Sequence, residues 1–361
     1  MNLLKEESGL ETEKMEEFQS PCFTSHYIDF HNQRIVDKTE LAHENLPGFI
    51  QDLIATMLDS ERNNYKSYKV KGDTQEFISL LKRDFLENNL PFTDIFAKIS
   101  KRLLDKEIKA HEKYKHLRDL VQGDLVQYFE IYDEHKIYIA VKLQHLEYYS
   151  AADYKLGAGF PKDKYVKKTC LVKTSLDNEI LEILLSDTNN KISEYWWDDF
   201  LELEECNTHE KNTQDSINAI DEVLNRSIKK QSPSDYTIIR NSVISYYKNH
   251  ESIAYSDMVD SLFENYVPQE PERFSMEDVT KKVRALPDKI GFDRTFDVMQ
   301  EYINKRARTS YPISRYFTLK IEQPPDNFSE VISAEVSVDG KKYLKILTED
   351  EKTFDSFVRH N

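Results

Sequence analysis

The chain has 361 residues and a formal net charge of −16, from 65 acidic residues against 49 Lys and Arg. Taken alone, that balance argues for solubility and against nucleic acid as a partner. Only 8 residues are Gly, which argues against Gly-rich phosphate loops and a doubly wound nucleotide fold, while the length points to two domains rather than one core.

Residues 1–20 are charged and lack a sustained apolar period, so a disordered acidic tail is expected there. That stretch has no basic start followed by an apolar core, so it does not read as a signal peptide. Ser25–Phe30 and Arg34–Val36 form a possible short hairpin around His31-Asn32-Gln33. Leu46–Asn63 predicts a helix, because Phe49, Ile50, Leu53, Ile54, Met57 and Leu58 recur at spacings of three and four. Asp73 is expected to cap a second helix with Phe77, Leu80, Leu81 and Phe85 on its inner face. A third, Thr93 to about His111, turns Ile95, Phe96, Ile99, Leu103 and Leu104 inward. Its Lys98, Lys101, Arg102, Lys106 and Lys109 are expected to face out.

Leu120–Leu146 is the strongest strand signal in the chain. Asp124–Tyr132 is apolar on both sides, as a central strand would be. After the break at Asp133-Glu134-His135-Lys136, short enough to close a hairpin, the residues Ile137, Ile139, Val141 and Leu143 alternate with Lys136, Tyr138, Ala140, Lys142 and Gln144, which predicts one buried and one solvent face. Tyr165–Lys173 is a third strand of the same antiparallel sheet. Asp177–Ser186, with its run EILEILLS, is expected to be a short apolar helix, and Ser193–Cys206 another.

The polar stretch Asn207–Gln214 is the best domain junction. It separates an N-terminal α+β domain, 21–206, from a helical domain, 207–361. Helical spacing continues through Ile217–Ile228, Ser234–His250, Tyr255–Tyr266 and Ser275–Leu286, and Phe292–Arg306 reads as one more helix or helical turn. Arg315–Ile321 is a strand by composition. Val331–Val338 and Lys341–Leu347 form a hairpin across Asp339-Gly340, since a type I′ turn needs positive φ at both central positions. Thr348–Glu351 reads as a capping box opening a last helix with Phe354, Phe357 and Val358 on one side. The expected fold class is therefore α+β: an antiparallel sheet with packed helices, followed by a mainly helical domain closed by a C-terminal β-hairpin.

Enzyme signatures are missing. The 10 histidines include no H-E-x-x-H and no Cys/His pair at zinc spacing, and no G-x-S-x-G occurs. No catalytic residue, metal or cofactor is expected. Cys22, Cys170 and Cys206 are far apart and odd in number, which suits a reducing cytosol, and no apolar run approaches the ~20 residues that span a bilayer. Asp198, Glu202 and Glu205 share a helix face at i, i+4 and i+7, with Asp199 beside them. That face is either a solvated surface or the dock for a basic partner.

Two basic groups carry the case for nucleic acid. On the sheet, Tyr138 and Lys142 share the outward face of the second strand, and Lys167, Thr169 and Lys173 share one face of the third, which also carries Lys168. If both faces turn to solvent they present Lys and Tyr together, and the loop between these strands adds Lys162 and Lys164. In the C-terminal half, Arg294, Lys305, Arg306, Arg308 and Arg315 occur with Tyr311. Such groups either contact phosphates, with tyrosines against sugars or bases, or are ordinary solvated faces and salt-bridged helix ends.

The block order adds to this reading. Helices at Glu76–Phe85 and Thr93–Leu104 precede GDLVQYFEIYDEHKIYIAVKLQHL. Then come YVKKTCLVKTSLD, KISEYWWDDFLELEECNTHEKNTQDSINAIDEVL and, late, YLKILTEDEKTFDSF. This order resembles the bacterial nucleoid-associated protein family of about thirty-seven kilodaltons, the YejK or NdpA type. The likeness spans Phe23 to Phe357 and is best from Glu76 to Leu224. The acidic N-terminal extension and the Trp196-Trp197 pair depart from it. The resemblance implies a cytoplasmic protein of the nucleoid that binds DNA without enzymatic activity, and it carries over no site residues. The expected function is thus sequence-tolerant DNA association by clustered Lys and Arg, in a homo-oligomer. The alternative is an adaptor, beside a topoisomerase or in a phage-defence assembly, that meets DNA indirectly.

Overall fold

The structure is a computed structural model that describes residues 21–42, 46–59, 65–72, 75–88, 90–113, 122–149, 156–159, 167–188, 192–325 and 328–358. The expected tail 1–20, the cap Asp73 and the loop lysines Lys162 and Lys164 lie outside the described residues. The chain divides into two compact units. One runs to Thr208 and takes in Asp293–Thr295; the other holds His209–Phe292 and the chain from Phe296 onward.

The first unit is built on an eight-stranded antiparallel sheet. Its strands are β1 (Cys22–Asp29), β2 (Arg34–Asp37), β3 (Lys66–Val70), β4 (Gly123–Tyr132), β5 (His135–Gln144), β8 (Lys167–Thr174), β9 (Ile180–Asp187) and β10 (Leu203–Glu205). The spatial order is β10-β3-β9-β8-β5-β4-β1-β2. A separate two-stranded pair, β6 (Leu146–Tyr149) and β7 (Leu156–Gly159), lies between β5 and β8 in the chain. The β4–β5 turn is tight: Tyr132 pairs with His135, and Asp133 and Glu134 both take positive φ, at 48° and 60°. That is the geometry of a two-residue hairpin loop, achieved here without glycine. Gly123 opens β4 because a Cβ there would sit 1.8 Å from the Leu143 carbonyl oxygen.

Both faces of this sheet are covered, which corrects the expectation of one solvent face. Helix α1 (Leu46–Leu58) packs Ile50, Leu53, Ile54 and Met57 against Val126, Tyr128, Ile137, Ile139, Val141 and Leu143. On the other face lie α2 (Glu76–Ile78, continuing as a π-helix through Glu87), α3 (Phe92–Lys113) and α4 (Tyr195–Phe200, also π-helical). Their Phe77, Phe85, Phe96, Ile99, Leu103 and Trp196 pack on Leu125, Phe129, Tyr138, Ala140, Cys170 and Val172. Cys170 is a buried member of this core, and burial pushes its thiol up, away from the thiolate a nucleophile needs.

Two further expectations change. EILEILLS is not a helix but β9, a strand paired on both sides, with β8 and β3. Ile183, Leu184 and Leu185 are buried in succession, so the run faces apolar neighbours on both sides of the sheet, and periodicity could not separate it from a buried helix. Arg102 on α3 does not face out. It is buried, donates to the backbone oxygens of Phe200 at 2.8 Å and Asp199 at 3.1 Å, and pairs with Glu76 and Glu202.

The second unit is mainly helical: α5 (His209–Ser227), α6 (Pro233–Asn249), α7 (Tyr255–Val259, continued to Glu264), α8 (Met276–Arg284), α9 (Leu286–Ile290) and α10 (Gln300–Ala307). Their apolar faces meet in one cluster that includes Ile220, Leu224, Ile244, Tyr247, Met258, Phe263, Val283 and Ile303. Two hairpins follow. One joins β13 (Thr309–Pro312) and β14 (Thr318–Ile321); the other joins β15 (Ile332–Val336) and β16 (Lys342–Ile346), the hairpin expected around Asp339-Gly340. Only Gly340 of that pair takes positive φ, at 78°, so its turn is not the expected type I′. A last helix, α12 (Glu351–Phe357), is capped by Asp350, whose carboxylate accepts from the Thr353 N–H at 2.6 Å; Thr348 instead accepts from the Asp350 N–H at 3.3 Å. Between the hairpins sits the short α11 (Phe328–Val331), and β11 (Ser252–Ala254) pairs with β12 (Thr295–Asp297).

Asp235 organises the N-terminal end of α6. It is buried and accepts from Tyr266 Oη at 2.6 Å, Ser232 Oγ at 2.7 Å, and the N–H groups of Gln269 at 2.9 Å and Glu270 at 3.3 Å. Burial pushes its carboxyl up, but those donors outweigh it and hold the group below the ordinary carboxylate value. Asp235→Asn is expected to cost about 2–3 kcal/mol at neutral pH, the worth of charge-assisted hydrogen bonds. A lowered folded pKa means that the unfolded chain binds the proton first. The contribution is therefore present above the unfolded value of about 3.9 and is lost as pH falls below it. Urea unfolding of wild type and variant at neutral and acid pH measures this, and a difference that persists undiminished in acid would refute it.

Candidate interaction surfaces

The expected lysine face of the sheet does not exist as a surface. Lys142 is 1% exposed and its Nζ lies 3.1 Å from Glu107 on α3, itself fully buried. Lys168 is buried against Asp187 and donates to Ser193 Oγ at 2.8 Å, with Tyr195 near its ammonium. Tyr138 is buried and donates to Gln127 Oε1 at 2.9 Å. These residues do not form the proposed DNA contact, because helices α2, α3 and α4 cover the face they share. The Lys167 side chain lies outside the described residues. Arg294 is also buried, over the Tyr65 ring at 5.8 Å, and so leaves the basic group assigned to the C-terminal half.

Lys173 points to the opposite face of the sheet. It borders a cleft of about 340 Å³ with Asp59, Tyr65, Tyr132, Asp133, His135 and Glu182 over a floor of Met57, Ile137 and Leu184. The mixed charge of that rim does not suit a polyanion.

The acidic stretch is not one helix face. α4 ends at Phe200, Glu202 takes φ 53°, and β10 begins at Leu203. Asp198 then pairs with Lys71, Glu202 with Arg102 at 2.9 Å, and Glu205 with the buried Lys66. Glu202 also accepts from the Glu76 N–H at 2.9 Å. Only Asp199 of the four projects as an exposed carboxylate. The cluster stitches α4 and β10 to α2, α3 and β3, which corrects its reading as a single helix face.

Asp124 and His145 make a carboxylate–imidazole pair. His145 Nε2 is 3.2 Å from Asp124, but Lys38 also lies 3.2 Å from the same carboxylate, and Tyr27 stacks on the imidazole at 5.2 Å. Burial pushes the Asp124 carboxyl up, and His145 and Lys38 together hold it below the ordinary range. The group ties the ends of β1 and β4 to the residue after β5. Among the described residues, no group of three His, Cys, Asp or Glu side chains could hold a metal ion, and no helix is long and apolar enough to cross a membrane.

The β13–β14 hairpin is different in kind. Residues 305–320 contain Lys305, Arg306, Arg308, Arg315 and Lys320 and no Asp or Glu. Arg306 is held by Asp221 and Asn218. Arg308 pairs with Glu322 at 3.2 Å, an exposed pair that contributes little. Lys305 lies over the Tyr302 ring at 5.7 Å, and Tyr311 is half-buried on β13. The tip is closed by Ile313 N–H to Phe317 O at 2.9 Å and Ser314 N–H to Phe317 O at 3.1 Å. It presents Arg315 over the Tyr316 ring at 4.4 Å, with Tyr316 70% and Phe317 69% exposed. Sequence reasoning placed Arg315–Ile321 in one strand and so missed Tyr316 and Phe317. The signal was there: two aromatics beside an arginine, between strands, with Pro312 before them.

A scan of family models finds no match to this chain, and a search of curated proteins finds none either.

Proposed function

We propose that the protein associates with DNA without catalysis and that the β13–β14 hairpin of its second unit makes the contact. The carrying observation is the exposed Arg315–Tyr316–Phe317 tip inside a 16-residue stretch whose charged residues are all basic. Aromatic faces take unstacked bases of any identity, and arginine takes phosphate or stacks beside them. The mode is therefore sequence-tolerant and favours single-stranded or distorted DNA. The first unit then acts as scaffold. The resemblance to nucleoid-associated proteins points the same way and would place the protein on the bacterial nucleoid.

A mobility-shift titration with single- and double-stranded oligonucleotides of one length, at two salt concentrations, tests the proposal. Binding is expected to weaken steeply with salt and to be tighter on the single strand. No binding at low salt, or an affinity that ignores salt, refutes it. The second reading is the adaptor, beside a topoisomerase or a phage-defence protein. It is favoured by a separate observation, the apolar surfaces that the C-terminal hairpin and helix leave open to solvent.

A further inference from the structure

The register of the last hairpin sorts its side chains into two faces. Ile332 opposes Ile346, Ala334 opposes Leu344, and Val336 opposes Lys342 on one face; Ser333 opposes Lys345 and Glu335 opposes Tyr343 on the other. The second face is polar and closed by the Glu335–Lys345 pair at 2.6 Å. The first is apolar and open, with Val336 66%, Ile346 49% and Leu344 39% exposed. A two-stranded ribbon is marginal alone and needs a helix or further strands against its apolar side. A few residues on, α12 has the complementary defect. Phe354 and Phe357 fall at i and i+3, Val358 follows at the C-terminal cap, and none is buried.

We infer that a second copy of this chain covers both surfaces by reciprocal exchange: α12 of each protomer lies on the apolar face of the other's β15–β16 ribbon. Each chain carries one copy of each half, a flat apolar ribbon and an apolar helix stripe, so a two-fold axis satisfies both at once. Charge agrees with this. By sequence, Glu349, Asp350, Glu351 and Asp355 outnumber Lys352 and Arg359 around the helix stripe, whereas the open ribbon face carries Lys342. The area is sufficient too. A buried Phe contributes about 150–250 Å², so two equivalent contacts, each with two Phe and several aliphatic chains, reach the roughly 1,200–2,000 Å² of a specific interface. This inference stands independently of the DNA contact at the β13–β14 tip.

The test is sedimentation of the full chain over a dilution series, with two variants, Phe354→Ser/Phe357→Ser and Leu344→Ser/Ile346→Ser. Because these side chains are exposed in one protomer, both variants should keep the wild-type circular dichroism spectrum. Wild type is expected to be dimeric at micromolar concentration, and each variant is expected to need at least about 100-fold more protein to dimerise. An equimolar mixture of the two variants should recover a heterodimer, since one of the two exchanged contacts is then intact. A wild-type chain that stays monomeric to about 100 µM overturns the inference. So do variants that dimerise like wild type, or a mixture with no recovery. If either variant fails to fold, deletion of residues 348–361 replaces the helix variant and Lys342→Glu the ribbon variant, with the same outcomes.

Discussion

Lys142→Ala is expected to destabilise the first unit by about 3–5 kcal/mol, because it strands the Glu107 carboxylate in the core without its partner. Burial already pushes the Glu107 carboxyl up, against the pull of Lys142, so without the lysine it must either take a proton or remain a buried charge. The side chain of Lys142 also fills space between β5 and α3, and alanine leaves that space empty. By contrast, Glu107→Leu with Lys142→Met removes both charges and keeps most of the volume. That double variant should lie within about 1 kcal/mol of wild type or above it, since buried pairs repay little beyond their desolvation. Urea denaturation of the two single variants and the double variant closes the cycle. A Lys142→Ala chain as stable as wild type would sink the assignment. The double variant also separates structure from binding: with the lysine gone and the fold intact, DNA affinity should be unchanged.

What was legible in the sequence, and what was not, divides along a physical line. Alternation in β5 identified which residues share a side, and the register bears that out: Tyr138 and Lys142 do point together. Alternation carries no information about what lies beyond that side. A lysine pointing at solvent and a lysine pointing at Glu107 have the same period, and the glutamate that decides between them is 35 positions away on another element. Arg102 failed for the same reason, its partners Glu76, Asp199 and Glu202 being brought together only by the fold. The last hairpin was legible from its Asp-Gly pair, but its turn type was not: Gly340 takes φ 78° while Asp339 does not share the positive φ, so the turn is longer than the expected type I′ loop. The β4–β5 turn, built on Asp133 and Glu134 at positive φ, was legible from its flanking strands alone. β9 was misread because continuous apolar runs suit a central strand and a buried helix equally. The hairpin tip at Arg315 was hidden for a simpler reason: β-prone aromatics at an exposed turn look like the strand that follows them.

Charge reversal of the basic stretch at and before the hairpin, Lys305→Glu/Arg308→Glu/Arg315→Glu, is expected to reduce DNA affinity on the order of 100-fold at low salt while leaving the fold intact. Lys305 and Arg315 rest on neighbouring rings, and Arg308 has only the exposed Glu322 pair, so none of the three belongs to the apolar cluster that holds the unit together. The slope of log affinity against log salt should fall by about one for each phosphate contact removed, hence by up to about three. Tyr316→Ala/Phe357→Ser is a poor control because it mixes two surfaces; Tyr316→Ala/Phe317→Ala is the informative companion. Loss of stacking should cost about 1–3 kcal/mol per base contacted, preferentially on single strands, and leave the salt slope nearly unchanged. The two variants thus separate charge from stacking within one hairpin. If both retain wild-type affinity and the wild type still binds, the contact lies elsewhere and the tip is not the DNA surface. If the reversal acts and the aromatic variant does not, phosphate attraction alone carries the binding, and any preference for single strands should vanish with it.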